Sequence, residues 1–222
     1  MTEARDALGL VATVDEVLDR AATELSFDQL EVARELCDRV LEVLPPGSDR
    51  RGLALFLRGL SREAAGVDDL EAAVDAFEAH ADPFGAARAR LALARELVEA
   101  ASPRARDVLD LALAQVAPHD LPLEHAQVLL ALARLELAEG HRSAARRRAR
   151  EAYERLSGVL LLEARRFEVL AIELQADAAE HAPEALALLD DALARAERME
   201  LGRARALRDK AAALRASRGP FR

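Results

Sequence analysis

The chain has 222 residues, 51% of them apolar and only 3% aromatic, with a formal net charge of −9. That balance argues against a general affinity for nucleic acid, and the single cysteine, Cys37, excludes an intramolecular disulfide and fits a reducing compartment. The longest aliphatic run, Val159 to Leu162, falls far short of a membrane span, and MTEARDALGL lacks the basic flank and apolar core of a signal peptide, so a cytoplasmic protein is expected.

Thr13 or Asp15 caps a first predicted helix that runs to about Leu25, with Val14, Val17, Leu18, Ala21 and Leu25 on one face. The residues before it are weakly patterned, although Leu8, Leu10 and Val11 could dock. Ser26 has capping-box spacing to Gln29 and opens a second helix carrying Phe27, Leu30, Ala33, Leu36, Cys37, Val40, Leu41 and Leu44. Pro45-Pro46-Gly47 stops it. Asp49 starts a third helix with Leu53, Leu57, Leu60, Ser61 and Ala64 inward, ending in a turn at Gly66, and a fourth follows with Leu70, Ala73, Val74 and Phe77. Asp82-Pro83 and Ser102-Pro103 are each a cap followed by a first-turn proline. They open a fifth helix (Ala87, Leu91, Ala94, Leu97, Val98) and a sixth (Ala105, Leu109, Ala112, Val116).

The seventh and eighth helices, joined at Gly140, show the plan most clearly: Val128, Leu129, Leu132, Ala133, Leu135 and Leu137 at helical spacing, then Ala145, Ala149, Ala152 and Leu156. Small residues in the second of these let the pair approach closely. After Ser157-Gly158 a ninth helix runs to about Glu180 with Leu161, Phe167, Leu170, Ala171 and Leu174 inward. Pro183 opens a tenth with Ala185, Leu188, Leu189 and Ala192. An eleventh, 203–217, has Ala204, Leu207, Ala211 and Leu214 on one side only, as suits a cap. Strand alternation is nowhere sustained, so the chain reads as all-α.

The pattern repeats. A small residue near the start of alternate helices recurs at Ala33, Ala73, Ala105, Ala145 and Ala185, at spacings of 40, 32, 40 and 40 residues. Leu60-Ser61-Arg62, Leu93-Ala94-Arg95 and Leu132-Ala133-Arg134 share the form Leu-small-Arg. On these residues, together with Leu129, Gly140, Ala149 and Ala152, the chain resembles the tetratricopeptide repeat family. Copies of 40 residues are longer than that family's usual repeat, and Leu or Ala stands at its Trp and Tyr positions. Long Ala- and Arg-rich repeats of this kind are similar to those of bacterial signal-transduction ATPases and LuxR-type regulators, but neither a phosphate-binding Gly-Lys-Ser/Thr loop nor a helix-turn-helix is found here. The expected architecture is a right-handed α-α superhelix forming a single repeat domain over 1–222. Its five hairpins would lie at about 13–45, 49–81, 83–117, 120–157 and 159–201, with a capping helix at 203–217.

The resemblance implies a concave groove lined by the first helices, presenting Arg58, Arg62, Arg88, Arg95, Gln127 and Arg134. Such a ladder of guanidiniums would suit an acidic segment of a protein or peptide partner. The competing reading is that these arginines pair with neighbouring carboxylates. Arg142, Arg146, Arg147, Arg148 and Arg150 form the densest basic cluster, and Arg203, Arg205, Arg208, Lys210, Arg215, Arg218 and Arg222 form a second. Without interleaved aromatics, both read as solvated faces or acidic-partner patches rather than nucleic-acid sites. The five histidines are scattered without ligand spacing, Cys37 lies on an apolar stripe, and Asp68-Asp69 suits a helix start. No catalytic residue, metal site or cofactor is therefore expected. The reading is a protein-interaction scaffold; the alternative is a sensor module with a small-molecule effector in the groove.

Overall fold

Thr13 begins the helical part of the chain with a reciprocal cap: its hydroxyl accepts from the Glu16 amide, and the Glu16 carboxylate accepts from the Thr13 amide at 2.7 Å. The computed structural model describes residues 3–5, 11–199 and 201–217. Ahead of the cap, β1 (Glu3–Arg5) and β2 (Val11–Thr13) pair antiparallel with Ala4 opposite Ala12, a short ribbon that the weak patterning does not announce. Leu8 and Leu10, expected to dock here, lie outside the described residues.

The rest of the described chain is helical, in two compact units, Met1–Val116 and Ala117–Arg222. The first contains α1 (Val14–Ser26), α2 (Leu30–Val43), α3 (Arg50–Leu60), a 3-10 turn (Glu63–Gly66), α4 (Val67–Ala79), α5 (Pro83–Glu99) and α6 (Arg104–Val116). Consecutive helices pack as hairpins, and α3 also touches both α1 and α5. The second contains α7 (Pro122–Ala138), α8 (Arg142–Leu156), α9 (Leu162–Ala178), α10 (Ala182–Arg198) and α11 (Arg203–Ala216), again packed in sequence, with α7 against α9.

Alanine sets the spacing. Ala33, Ala105, Ala145 and Ala185 stand in the first turns of α2, α6, α8 and α10 and Ala73 in the middle of α4, and all are buried. The α8 stripe is complete, with Ala145, Ala149, Ala152 and Leu156 at 0% exposure. First helices bury more of their circumference because they meet neighbours on several sides: α3 adds Gly52, Ala54, Leu55 and Phe56 to the expected core, and α5 adds Ala86, Ala89 and Leu93.

Several turns share one device. Asp28, Ala81, Ala101 and Gly140 each adopt positive φ just past a helix end. The next amide in each case reaches back five residues: Gln29 to the Glu24 carbonyl, Asp82 to Phe77, Ser102 to Leu97 and His141 to Glu136. This geometry corrects the expected helix start at Ser26. That serine closes α1 with its hydroxyl donating to the Thr23 carbonyl, the left-handed turn at Asp28 follows, and Phe27 is left 71% exposed outside α2. The third helix likewise stops at Leu60, short of Gly66. Gly59 and Gly66 approach so closely that a Cβ on Gly66 would lie 2.1 Å from the Gly59 carbonyl oxygen. Leu161, expected inward, precedes α9 and is 56% exposed, and α9 ends at Ala178 rather than near Glu180.

The last helix is held by little apolar surface and much charge. On α11 only Leu207 and Ala211 are buried, in a cluster with Val169, Ile172, Leu189 and Ala192. Beside them Glu173 of α9 accepts from Arg203 at 2.5 Å and from Lys210 at 3.1 Å, and Lys210 also reaches Asp177 at 2.7 Å. Burial pushes the Glu173 carboxyl up, but the hydrogen bonds and charges of Arg203 and Lys210 outweigh it and hold it below its ordinary value. Burial likewise works against the charged Lys210, and Asp177 and Glu173 overcome it to raise the ammonium.

Two outcomes test this account. Ala101→Gly should relieve the cost of a left-handed alanine and raise stability by about 1 kcal/mol, read as a Tm increase of about 2–4 °C. Lys210→Met should loosen α11 and speed its amide hydrogen exchange roughly tenfold while the α8 amides are unchanged. The pH dependence is set by the two shifts. The depressed Glu173 contributes fully above its unfolded value near 4.5 and its contribution fades as pH falls through the folded value. The raised Lys210 contributes below 10.5 and its share is lost as pH rises through its folded value.

Candidate functional site

Of the arginines expected to form a ladder, Arg58 and Arg62 are committed within the fold. Arg58, near the end of α3, donates from Nε and Nη2 to the two oxygens of Asp69 at 2.9 and 2.5 Å, and from Nη1 to Asp38 of α2 at 3.0 Å. Arg62 adds a third donor to Asp69 at 3.1 Å. Asp69 sits in the first turn of α4, as its sequence position suggests, yet it is buried, which such a position does not require. Burial opposes the charge on Arg58, and the bonds to Asp69 and Asp38 overcome that and raise its pKa. The fork thus fastens α3 to both α2 and α4.

Arg88 and Arg95 are placed differently. They stand seven residues apart on α5, hence on one face, and both are exposed. Among the described residues neither meets a carboxylate, whereas on the same helix Arg90 pairs with Glu78 at 2.5 Å. The Arg88 guanidinium instead lies over two rings, 5.3 Å from the centre of Phe56 and 5.4 Å from that of Phe84.

The rings are brought together by glycine. Phe77 of α4 lies against Gly52 of α3 and Gly85 of α5, where a Cβ would come within 3.0 and 2.4 Å of its ring. Asp82 caps α5 by accepting from the Gly85 amide at 2.9 Å, and Pro83 in the first turn places Phe84 at the helix start, 40% exposed. The result is a cleft of about 190 Å³ with Leu53, Phe56, Phe77 and Phe84 as apolar lining and Asp49, Arg50, Asp82 and Arg88 around it. Arg50 is paired with Asp15 at 2.7 Å, while Asp49 makes no capping bond to α3 and has no ion pair among the described residues.

In the second unit, Gln127 donates to Glu163 at 3.4 Å, linking α7 to α9, and Arg134, exposed two turns along α7, is also engaged. The two basic clusters are largely paired. Arg146 bonds Glu184, Arg150 bonds Glu154 at 2.9 Å, Arg142 donates to the Ala179 carbonyl at 3.3 Å, Arg208 pairs with Glu197 and Arg215 with Asp190, both at 2.5 Å. Arg218 and Arg222 lie outside the described residues. Buried Glu168 holds Arg165 at 2.6 Å and faces Arg195 at 3.8 Å, beside a cleft of about 230 Å³ that includes Arg198 and Met199. His125 is buried, and desolvation followed by the Arg155 charge lowers its pKa, against a smaller opposing pull from Glu151. The Cys37 thiol, buried in α2, is pushed up to about 12, chiefly by desolvation. No group of three or more potential metal ligands gathers among the described residues, and no helix there is long and apolar enough to cross a membrane.

Sequence reasoning found Arg88 and Arg95 but not the cleft beside them. The available signal was Phe84 four residues ahead of Arg88, with Phe56, Phe77 and the two glycines nearby in the chain. The contrast between committed and uncommitted arginines has a measurable consequence. Asp69→Ala leaves a part-buried guanidinium short of its main partner and should cost about 3 kcal/mol in urea denaturation. Arg88→Ala removes only an exposed ring contact and should cost about 0.5–1 kcal/mol. Compared with known proteins, the chain matches no family model, and no curated protein or solved structure matches it at a significant level.

Proposed function

We propose that the chain is a cytoplasmic, tetratricopeptide-like interaction module whose hairpins wind in the right-handed sense, and that it binds a segment of a partner protein rather than catalysing a reaction. The observation that carries this is the exposed face of α5, where Arg88 and Arg95 stand without carboxylate partners next to an aromatic cleft. Elsewhere on α3 and α5, Arg50, Arg58 and Arg90 pair with Asp15, Asp69 and Glu78, and Arg51 donates to the Leu41 and Leu44 carbonyls, so two guanidiniums without such bonds on one helix face are a local exception. A partner segment with one apolar side chain for the cleft and acidic residues for the forks fits this surface.

A second reading, a small-molecule sensor, is favoured by one feature. Asp49 and Arg88, opposite in charge and both unpaired among the described residues, border an apolar cleft the size of a single side chain. A small zwitterion fits that pattern.

The two are separated by displaying random twelve-residue peptides to the purified protein and to an Arg88→Glu, Arg95→Glu variant. Enrichment of peptides combining an apolar residue with acidic ones, lost in the folded variant, is the expected result. Absence of enrichment overturns the peptide-binding reading and leaves the sensor, which free amino acids would then reveal as stabilising ligands in thermal unfolding.

A further inference from the structure

The α8–α9 connection carries three consecutive exposed leucines, among them Leu160, the most exposed large apolar side chain among the described residues. Leu160, Leu161 and Leu162 are 90%, 56% and 60% exposed, just past Gly158, which takes φ +95 two residues beyond the end of α8. Other turns are not built this way: α2 gives way to α3 through Pro45, Pro46, Gly47 and Ser48, and α4 to α5 through His80, Ala81 and Asp82. Three neighbouring leucines in water are an unpartnered apolar surface that a soluble protein rarely keeps without covering it. The residue that follows them, in the first turn of α9, is an exposed glutamate, Glu163, which accepts a 3.4 Å bond from Gln127.

We propose that this loop is the segment that a second copy of the chain inserts into the cleft beside α5. The inference rests on the reading of that cleft as a binding site and names an occupant for it. Three observations commit it to a second copy. The cleft, about 190 Å³ with Phe56, Phe77 and Phe84 in its lining and charged residues around it, has room for one leucine side chain against the rings. Glu163, two residues past Leu161, supplies the carboxylate that Arg88 lacks. The unit that owns the cleft has thirteen arginines against twenty-three carboxylates, a net of −10, whereas the unit that owns the loop is net +1, so the donor unit is not repelled by the acceptor. Loop and cleft are different surfaces of one chain, so the contact is head-to-tail: each copy offers a loop and receives one, giving closed rings or open chains. A contact built on one or two leucines and one ion pair is small, and such interfaces are transient.

Sedimentation velocity on the full chain over rising concentration tests this. The wild type should self-associate with a Kd below roughly 100 µM. A loop variant (Leu160→Asp, Leu161→Asp) and a cleft variant (Phe84→Glu) should each weaken association at least about tenfold, with helical circular dichroism unchanged because the altered side chains are exposed. The decisive sample is an equal mixture of the two. A head-to-tail contact leaves one intact loop and one intact cleft, so the mixture should form dimers and nothing larger. Arg88→Glu should weaken association, and adding Glu163→Arg should restore it.

Monomeric wild type across the range overturns the proposal, as does association that either variant leaves intact. Association by the wild type without dimers in the mixture points to a loop-on-loop contact and also overturns it. Peptide display separates this result from the fate of the underlying reading: peptides that bind at Arg88 in a strictly monomeric protein retire self-association alone, while failure of both experiments retires the cleft as a binding site.

Discussion

Each second helix turns alanines toward its neighbours, and on α8 three of them, Ala145, Ala149 and Ala152, have no exposed surface at all. A side chain of one carbon brings backbones close, and larger residues of both helices, such as Leu129 and Leu132 of α7 and Leu156 of α8, supply the apolar contact that holds a hairpin. Everything else follows from that closeness. The glycine contact at Gly59 and Gly66, the pressing of Phe77 against Gly52 and Gly85, and the reach of Arg58 across to Asp38 all require helices at short range.

Short range also decides what charges do. Where helices approach, an arginine meets a carboxylate of the next element and becomes structural, as Arg58 does with Asp69 and Arg203 with Glu173. Where a helix face opens to water, the same residue type is left to whatever arrives. The exposed face of α5 is such a place, where the Arg88 guanidinium lies over Phe56 and Phe84 and meets no carboxylate among the described residues.

This division explains what could be read from the chain. The second helices were legible because each is apolar on one side: every residue expected inward on α4, α6 and α8 is buried. The first helices were less so. α9 buries residues around most of its girth, including Glu168 and Glu173, and its charged core positions blur the period that marks a helix face. Start signals held where proline followed the cap, as at Asp82-Pro83, but Ser26 misled because the left-handed turn at Asp28 is a conformation that the residue type permits without demanding. For the candidate site, the arginines were visible and their partners were not. Arg58 and Asp38 are twenty residues apart, so only the folded arrangement distinguishes a fork already closed from one still open.

Cys37 carries a practical consequence. It is the only thiol in the chain, it is fully buried, and its proton is held up to about 12, so at neutral pH it is chemically silent. A cysteine introduced at any exposed position would therefore be the sole reactive handle on the molecule. The native sequence is in effect already prepared for attaching one spectroscopic label at a chosen place, with no background to remove.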